Sequence, residues 1–197
     1  MSYCGSALVK YFAQTVYSQI SMGSEAELNL FVAGTLIPQA SKIIDSYTGS
    51  SFGTPTLGTW KFDGNGKAVL FLPIDKVPFL GVSAGSISNS AITVSQIKVH
   101  DQVLELDGSV WTKGKLNITL YGSHGYVSVP PDIQYVTAQL CANVLNDMVR
   151  RKVYPDAFMS MASSGGDANA LMASSAVFTK GLKELCEPYR VMWVDIG

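Results

Sequence analysis

Residues 125–154 read GYVSVPPDIQYVTAQLCANVLNDMVRRKVY, and this stretch decides the fold. Ile133, Val136, Leu140, Val144 and Met148 recur in steps of three and four, with Leu145 and Val149 alongside. That spacing places them on one face of a helix. Pro131 suits a first helical position, where a missing N–H costs nothing. Asp132 sets a negative charge beside the positive end of the helix dipole. Arg150, Arg151 and Lys152 fall in the last turn, where cations are favoured, and Pro155 follows as a stop. The rest of the chain reads as a second helical segment and a small sheet before this helix, and an arm after it.

Upstream, Leu8, Phe12, Val16 and Ile20 stand four apart and predict an amphipathic helix over 7–20. Ser24 followed by Glu27 is a capping-box pattern that starts the next helix. Leu28, Val32, Leu36, Ala40, Ile43 or Ile44, and Tyr47 line one face of it. Pro38 lies within that pattern and would clash with the carbonyl of Gly34, so a kink or break is expected between them, with the direction roughly continued. Gly49 suits the left-handed position just past the helix end.

From Phe52 the period changes to two. Residues 59–63 and 67–72 flank Gly64-Asn65-Gly66 and predict a hairpin. Further strands are expected at 81–84, 91–99, 103–106 and 115–121, with turns at Asp107-Gly108 and Lys113-Gly114. Such strands make a small antiparallel sheet or open barrel, with Trp60 and Trp111 in its core or at its rim. Residues 158–176 are rich in small residues and read as a flexible segment. Val177, Leu182, Leu185 and Cys186 predict a last helix ending at Pro188. The tail YRVMWVDIG, 189–197, alternates and is apolar, so it is expected to dock, preferentially on a partner.

These elements predict an α+β chain of 197 residues: a bundle of three to four helices over 1–157, with an antiparallel β-domain inserted at about 52–128. The segment 158–176 then leads to a terminal helix and extended arm over 177–197. Charged residues make up only 15% of the chain, against roughly 25% in typical soluble domains. That scarcity suits a subunit packed within an assembly and, equally, a neutral monomer rich in Gly and Ser. The net charge of −1 gives no overall electrostatic footprint for nucleic acid. The N-terminus lacks a basic, then apolar, signal pattern, and no apolar run is long enough to span a bilayer.

No catalytic constellation is legible. Cys4, Cys141 and Cys186 are odd in number and far apart, and read as reduced thiols. His100 and His124 have no helix-spaced partner for zinc, and Ser123-His124 is a pair of neighbours in a turn. Asp132, Asp147 and Asp156 suit helix ends or the surface. Asp63-Gly64-Asn65-Gly66 lacks the further acids of a calcium loop and the Lys-Ser/Thr of a phosphate loop. Asn117-Ile118-Thr119 fits a glycosylation acceptor but reads as ordinary strand. The sequence therefore predicts no enzyme, no cofactor and no metal. Two other readings stay open. Trp60, Trp111 and Tyr126 would form an exposed aromatic platform in a β-rich binding module for carbohydrate or as a tail accessory. Cys141 or His124 would serve a small hydrolase.

The order of parts resembles a known family, the phage head–tail adaptor or connector proteins. Ile44-Asp45-Ser46-Tyr47-Thr48-Gly49 is similar to their "IDxYTG" helix end, although Ser50 stands where Arg usually follows. Trp60 to Gly64 resembles their aromatic-and-"DG" hairpin, and Leu70-Phe71-Leu72-Pro73 through Pro78 their "LxLPxxPV" step. Gly125-Tyr126 through Val129-Pro130-Pro131-Asp132-Ile133 is similar to "GYxxVPxDI", and Pro188-Tyr189-Arg190 to a terminal "PYR". The resemblance covers about 24–153 and 177–190. It implies a structural virion protein of the neck, assembled in the host cytoplasm. It implies self-association into a ring, usually a dodecamer, between the portal protein and a stopper or tail-completion protein. Double-stranded DNA would pass through the lumen without sequence recognition, and no membrane is involved. Tyr189, Arg190, Val191, Met192, Trp193, Val194 and Ile196 are the portal-binding candidates that this resemblance points to.

Overall fold

The computed structural model describes residues 2–72, 78–100, 102–152, 155 and 177–190. The expected flexible segment at 158–176 and the arm at 191–197 lie outside these residues. The chain divides into two compact units: one from 1–50 with 129–190, the other over 51–128.

The first unit is helical. Its elements are α1 (Ser6–Ala13), α2 (Glu25–Phe31), α3 (Ile37–Thr48), α4 (Pro131–Arg151) and α5 (Lys180–Cys186). Helices α1, α3 and α5 all pack against α4, which is the axis of the unit. The periodicity of α4 explains this. Ile133, Val136, Leu140, Val144 and Leu145 are all fully buried, and Met148 nearly so. Buried hydroxyls on these helices bond their own backbone, with Thr137 Oγ1 donating to Ile133 O at 2.7 Å and Thr48 Oγ1 to Ile44 O at 2.8 Å. Apolar packing is therefore not interrupted by unsatisfied polar groups at those positions.

One expectation here needs correction. The first helix does not run to residue 20. It ends at Ala13, and Gln14 turns left-handed at φ 52°. Thr15 then points its hydroxyl at Asn146, and a 3₁₀ turn covers Tyr17–Ile20. Val16, expected on the buried face, is half exposed, while Val9 and Ala13 are buried instead. The irregularity expected ahead of Pro38 takes a specific form. A π-helical turn, Val32–Leu36, joins α2 to α3, and Ile37 N–H reaches back five residues to Val32 O. Widening the turn by one residue accommodates the proline's missing donor and ring, and the backbone stays in the right-handed helical region throughout.

Ser24 caps α2 as expected: its Oγ accepts from Glu27 N–H at 3.2 Å, and Glu27 Oε2 accepts from Gly23 N–H at 2.7 Å. Gly49 takes the left-handed position after α3 at φ 70°. Lys152 does so after α4 at φ 56°, without a glycine.

The second unit is two antiparallel sheets. One has the order β1-β7-β3-β4, with β1 at Thr56–Gly64, β3 at Phe79–Ile87, β4 at Ser90–Ala91 and β7 at Gly114–His124. The other has the order β2-β6-β5, with β2 at Val69–Phe71, β5 at Ile97–His100 and β6 at Val103–Leu106. The expected hairpin between β1 and β2 is therefore overturned. β1 pairs with β7 in the register Trp60↔Leu120 and Phe62↔Ile118, and β2 pairs with β6. The Gly64-Asn65-Gly66 turn carries the chain from one sheet to the other. It is held by Gly66 N–H to Trp111 O at 2.7 Å and Asn65 Nδ2 to Val69 O at 2.7 Å. The strand expected at 91–99 is likewise split by a 3₁₀ turn, Val94–Gln96. Strands β3 and β4 form a tight hairpin, turned by Ser88 and Asn89 at φ 50° and 66°. Both residues left-handed is the geometry of a two-residue type I′ turn.

Both sheets face one core, which includes Phe62, Leu70, Phe79, Leu104, Trp111 and Leu120. Trp111 is fully buried and its Nε1–H donates to Leu104 O at 3.2 Å. Gly122 is required where β7 meets a bulge of β3, because a Cβ there would lie 2.3 Å from Gly81 O.

Candidate functional site

The described part of the portal-binding candidates is Tyr189-Arg190, and it sits in a network at one end of the helical unit. A 3₁₀ turn, Glu187–Tyr189, follows α5 directly, with Pro188 in its first turn. Pro188 stops the α-helix and fixes the direction in which the chain leaves. Glu187 then faces the end of α3. Tyr47 donates its hydroxyl to Glu187 Oε1 at 2.5 Å, and Arg190 Nη1 lies 3.5 Å from the same oxygen. The Arg190 guanidinium also stacks 5.3 Å from the centre of the Tyr47 ring. On its other side, the Tyr47 ring meets Phe178 edge-on at 5.2 Å. Tyr189 donates to Asp132 Oδ2 at 3.2 Å, and its carbonyl accepts from Ser50 Oγ at 3.4 Å.

Three sequence motifs are thus brought together: the Tyr47-Thr48-Gly49-Ser50 helix end, Asp132 in the first turn of α4, and Pro188-Tyr189-Arg190. Asp132 was expected only as a dipole partner, and its contact with Tyr189 is an added role. Ser50 uses its hydroxyl on the chain leaving α5, at the position where the adaptor pattern carries Arg. The hydrogen bond to Glu187, then burial and the charge of that carboxylate, raises the Tyr47 hydroxyl above its ordinary range. Tyr47 is therefore protonated and a donor at neutral pH. Nothing in this network is an activated nucleophile or a poised acid–base pair. Its chemistry is mechanical: it fixes the backbone where residues 191–197 begin. Val191, Met192, Trp193, Val194 and Ile196 lie outside the described residues.

The other candidate residues are not assembled. His124 Nδ1 is 3.3 Å from Thr56 O, with its ring edge-on to Trp60 at 5.1 Å. His100 lies on the other sheet, 3.4 Å from Glu105. Burial pushes the Cys4 and Cys186 thiols up to about 11 and holds that of Cys141 well above the ordinary thiol value, so none is a thiolate at neutral pH. Asp147 is buried, and Arg150 and Arg151 approach it at 2.7 and 2.8 Å. Burial alone would raise its carboxyl, but these hydrogen bonds and charges outweigh it and hold the group below the usual range. The two arginines therefore neutralise a buried acid as well as the helix end. Asn117, in the glycosylation-like triplet, instead accepts from Gly64 N–H at 2.9 Å and donates to Thr112 O at 2.8 Å. The aromatic platform does not form. Trp111 is internal, Trp60 packs on the core, and Tyr126 stacks on Phe52 with centroids 4.8 Å apart. Among the described residues, no helix is long and apolar enough to cross a membrane, and no cluster of three or more His, Cys, Asp or Glu could hold a metal ion.

No protein-family model matches the sequence, and no curated protein matches it. Solved structures do. A chain of the virion of the native gene transfer agent (GTA) particle aligns at a TM-score of 0.52 and 14% identity, over 96% of this chain and 91% of that one. A chain in the neck of the empty GTA particle, computed with C6 symmetry, aligns at 0.50 and 15% identity over the same shares. A third, from the neck of the native particle computed with C12 symmetry, aligns at 0.45 and 15% identity over 100% of this chain and 96% of that one. The chain therefore shares its fold, nearly end to end, with a chain of the GTA virion and a chain of the GTA neck.

Proposed function

We propose that this chain is a structural virion protein, a head–tail adaptor that forms a ring between the portal vertex and the tail or stopper proteins. The single observation that carries the reading is a fold shared over 96% of the chain with a component of a GTA neck. The order of the adaptor-like motifs supports it, since the "YTG" helix end and the terminal "PYR" come together in one network. Low charge content suits subunits packed side by side. Ring assembly is supported by the C6 symmetry of the similar neck, and the dodecamer by the adaptor resemblance. The genome passes through the lumen, and the protein performs no catalysis of its own.

In this reading the network around Glu187 aims the tail at the portal. Arg190 and Tyr189 are fixed, and the alternating apolar residues that follow dock by strand addition or groove insertion. Electron microscopy of the full chain mixed with the portal of the same genome tests this. The expected result is a cap of ring-like density on the portal, lost when residues 191–197 are deleted. A monodisperse monomer that leaves the portal bare would overturn the adaptor reading. Retained capture by the deletion variant would overturn the role of the tail.

A further inference from the structure

The sheet unit carries a lysine cluster that the sequence scatters. Lys61 and Lys67 flank the turn after β1, and Lys113 and Lys115 stand some fifty residues later at the start of β7. Pairing brings them to one end of the unit. Gly64 is in register with Gly114, and Lys61 with Thr119. Trp111 N–H donates to Lys67 O at 2.8 Å, and the β-carbon of Lys113 comes within 3.7 Å of a Cβ built on Gly66. All four lysines are exposed. None has an ion-pair partner among the described residues, unlike Lys98, which lies 3.0 Å from Asp107. The acid within these two segments is Asp63, and its Oδ1 accepts from Leu116 N–H at 2.6 Å. Four lysines and one aspartate leave a local charge of +3 in a chain of net −1.

We infer that this tip contacts the phosphate backbone of double-stranded DNA. The inference deepens the adaptor reading, on which it rests for the source of the polyanion. The chemistry favours DNA over a protein partner. Lysine is depleted at protein interfaces, whereas unpaired lysines with mobile ammonium groups are what a backbone of regularly spaced phosphates recruits. The tip has no Arg, and its Asn65 and Asn117 amides are held on backbone groups (Asn65 Nδ2 to Val69 O at 2.7 Å, Asn117 Nδ2 to Thr112 O at 2.8 Å) rather than offered to base edges, so contact is independent of sequence. The contact is also weak and salt-sensitive. Four phosphates neutralised per tip predict a slope of about −3 to −4 in log affinity against log salt, or about a hundredfold loss from 50 to 200 mM. A lumen lined by such tips holds DNA loosely at physiological salt and lets it move.

The test is fluorescence anisotropy of the full chain with two 30-base-pair duplexes of unrelated sequence, titrated across salt. Wild type should bind both equally with that slope. The variant K61Q/K67Q/K113Q/K115Q should lose nearly all of it, and the corresponding four Lys→Arg changes should preserve it. No binding by wild type at low salt, or an unchanged slope in the Gln variant, would overturn the inference. So would an Arg variant that folds, by circular dichroism, and does not bind. Capture of the Gln variant by the portal in micrographs is expected to be unchanged. If that capture were lost while wild type bound no duplex, the tip would be a protein contact: the inference would fail and the adaptor reading would stand.

Discussion

Replacing Leu140 by Ala tests whether α4 is the axis of the helical unit. Leu140 is fully buried, with Val136 and Val144 one turn away on either side, also fully buried. Truncation removes three methylene-sized groups, worth about 0.8 kcal/mol each and so about 2.4 kcal/mol of transfer free energy. The cavity left behind raises the cost, because α1, α3 and α5 already pack on this helix and can only partly collapse. The expected loss is about 2.4–5 kcal/mol. For a chain of this size that lowers Tm by about 5–20 °C. The assay is urea unfolding followed by the helical circular dichroism signal, with the midpoint falling and the slope unchanged. Leu30→Ala is the matched control: the same atoms are removed from a side chain that is 73% exposed. Its change should stay within about 0.5 kcal/mol. If Leu140→Ala also stayed within that range, the buried face of α4 would not be a packed core, and the argument from periodicity to axis would fail.

Asp147→Asn should destabilise the chain by about 1–3 kcal/mol at pH 7, by removing the charged hydrogen bond from Arg150 and the ion pair with Arg151. The folded carboxyl is held below its ordinary value, so its contribution is present above about pH 4 and lost as pH falls through the folded pKa; unfolding curves of wild type and variant should converge there. Ser24→Ala removes the cap of α2 and should cost about 0.5–2 kcal/mol by the same unfolding measurement, with no effect meaning that the cap is replaced by water. Gly122→Ala places a methyl 2.3 Å from Gly81 O and should cost about 1–3 kcal/mol or more, read as an earlier tryptophan fluorescence transition from Trp60 and Trp111. An unshifted transition would show that β3 gives way freely at its bulge.

The sequence by itself determined the helices from α2 to α4, though not the end of α1, because the signals there are local. The three-and-four spacing in 133–148, the Ser24–Glu27 box and Gly49 each act within one or two turns of their own backbone. The Pro38 signal was also legible, but not its outcome. Of the expected kink or break, the structure takes the milder form, a π turn that costs only a local widening, because buried Val32, Leu36 and Ile37 keep the helix packed on both sides of it. In the sheet unit, alternation marked the strands and could not choose their partners. Gly64-Asn65-Gly66 looks like a hairpin turn from either side. The choice fell to Asp63 and Asn117, whose side chains bond the backbone of the opposite strand some fifty residues away and tie β1 to β7. The same long-range pairing buried Trp111, dissolved the aromatic platform, and gathered four lysines that a net charge of −1 conceals. The meeting of Tyr47, Ser50, Asp132 and Tyr189-Arg190 was of this kind too. Helix formation is governed by neighbours in the chain, whereas strand pairing and network closure depend on contacts between residues far apart in sequence, and only the folded structure decides those.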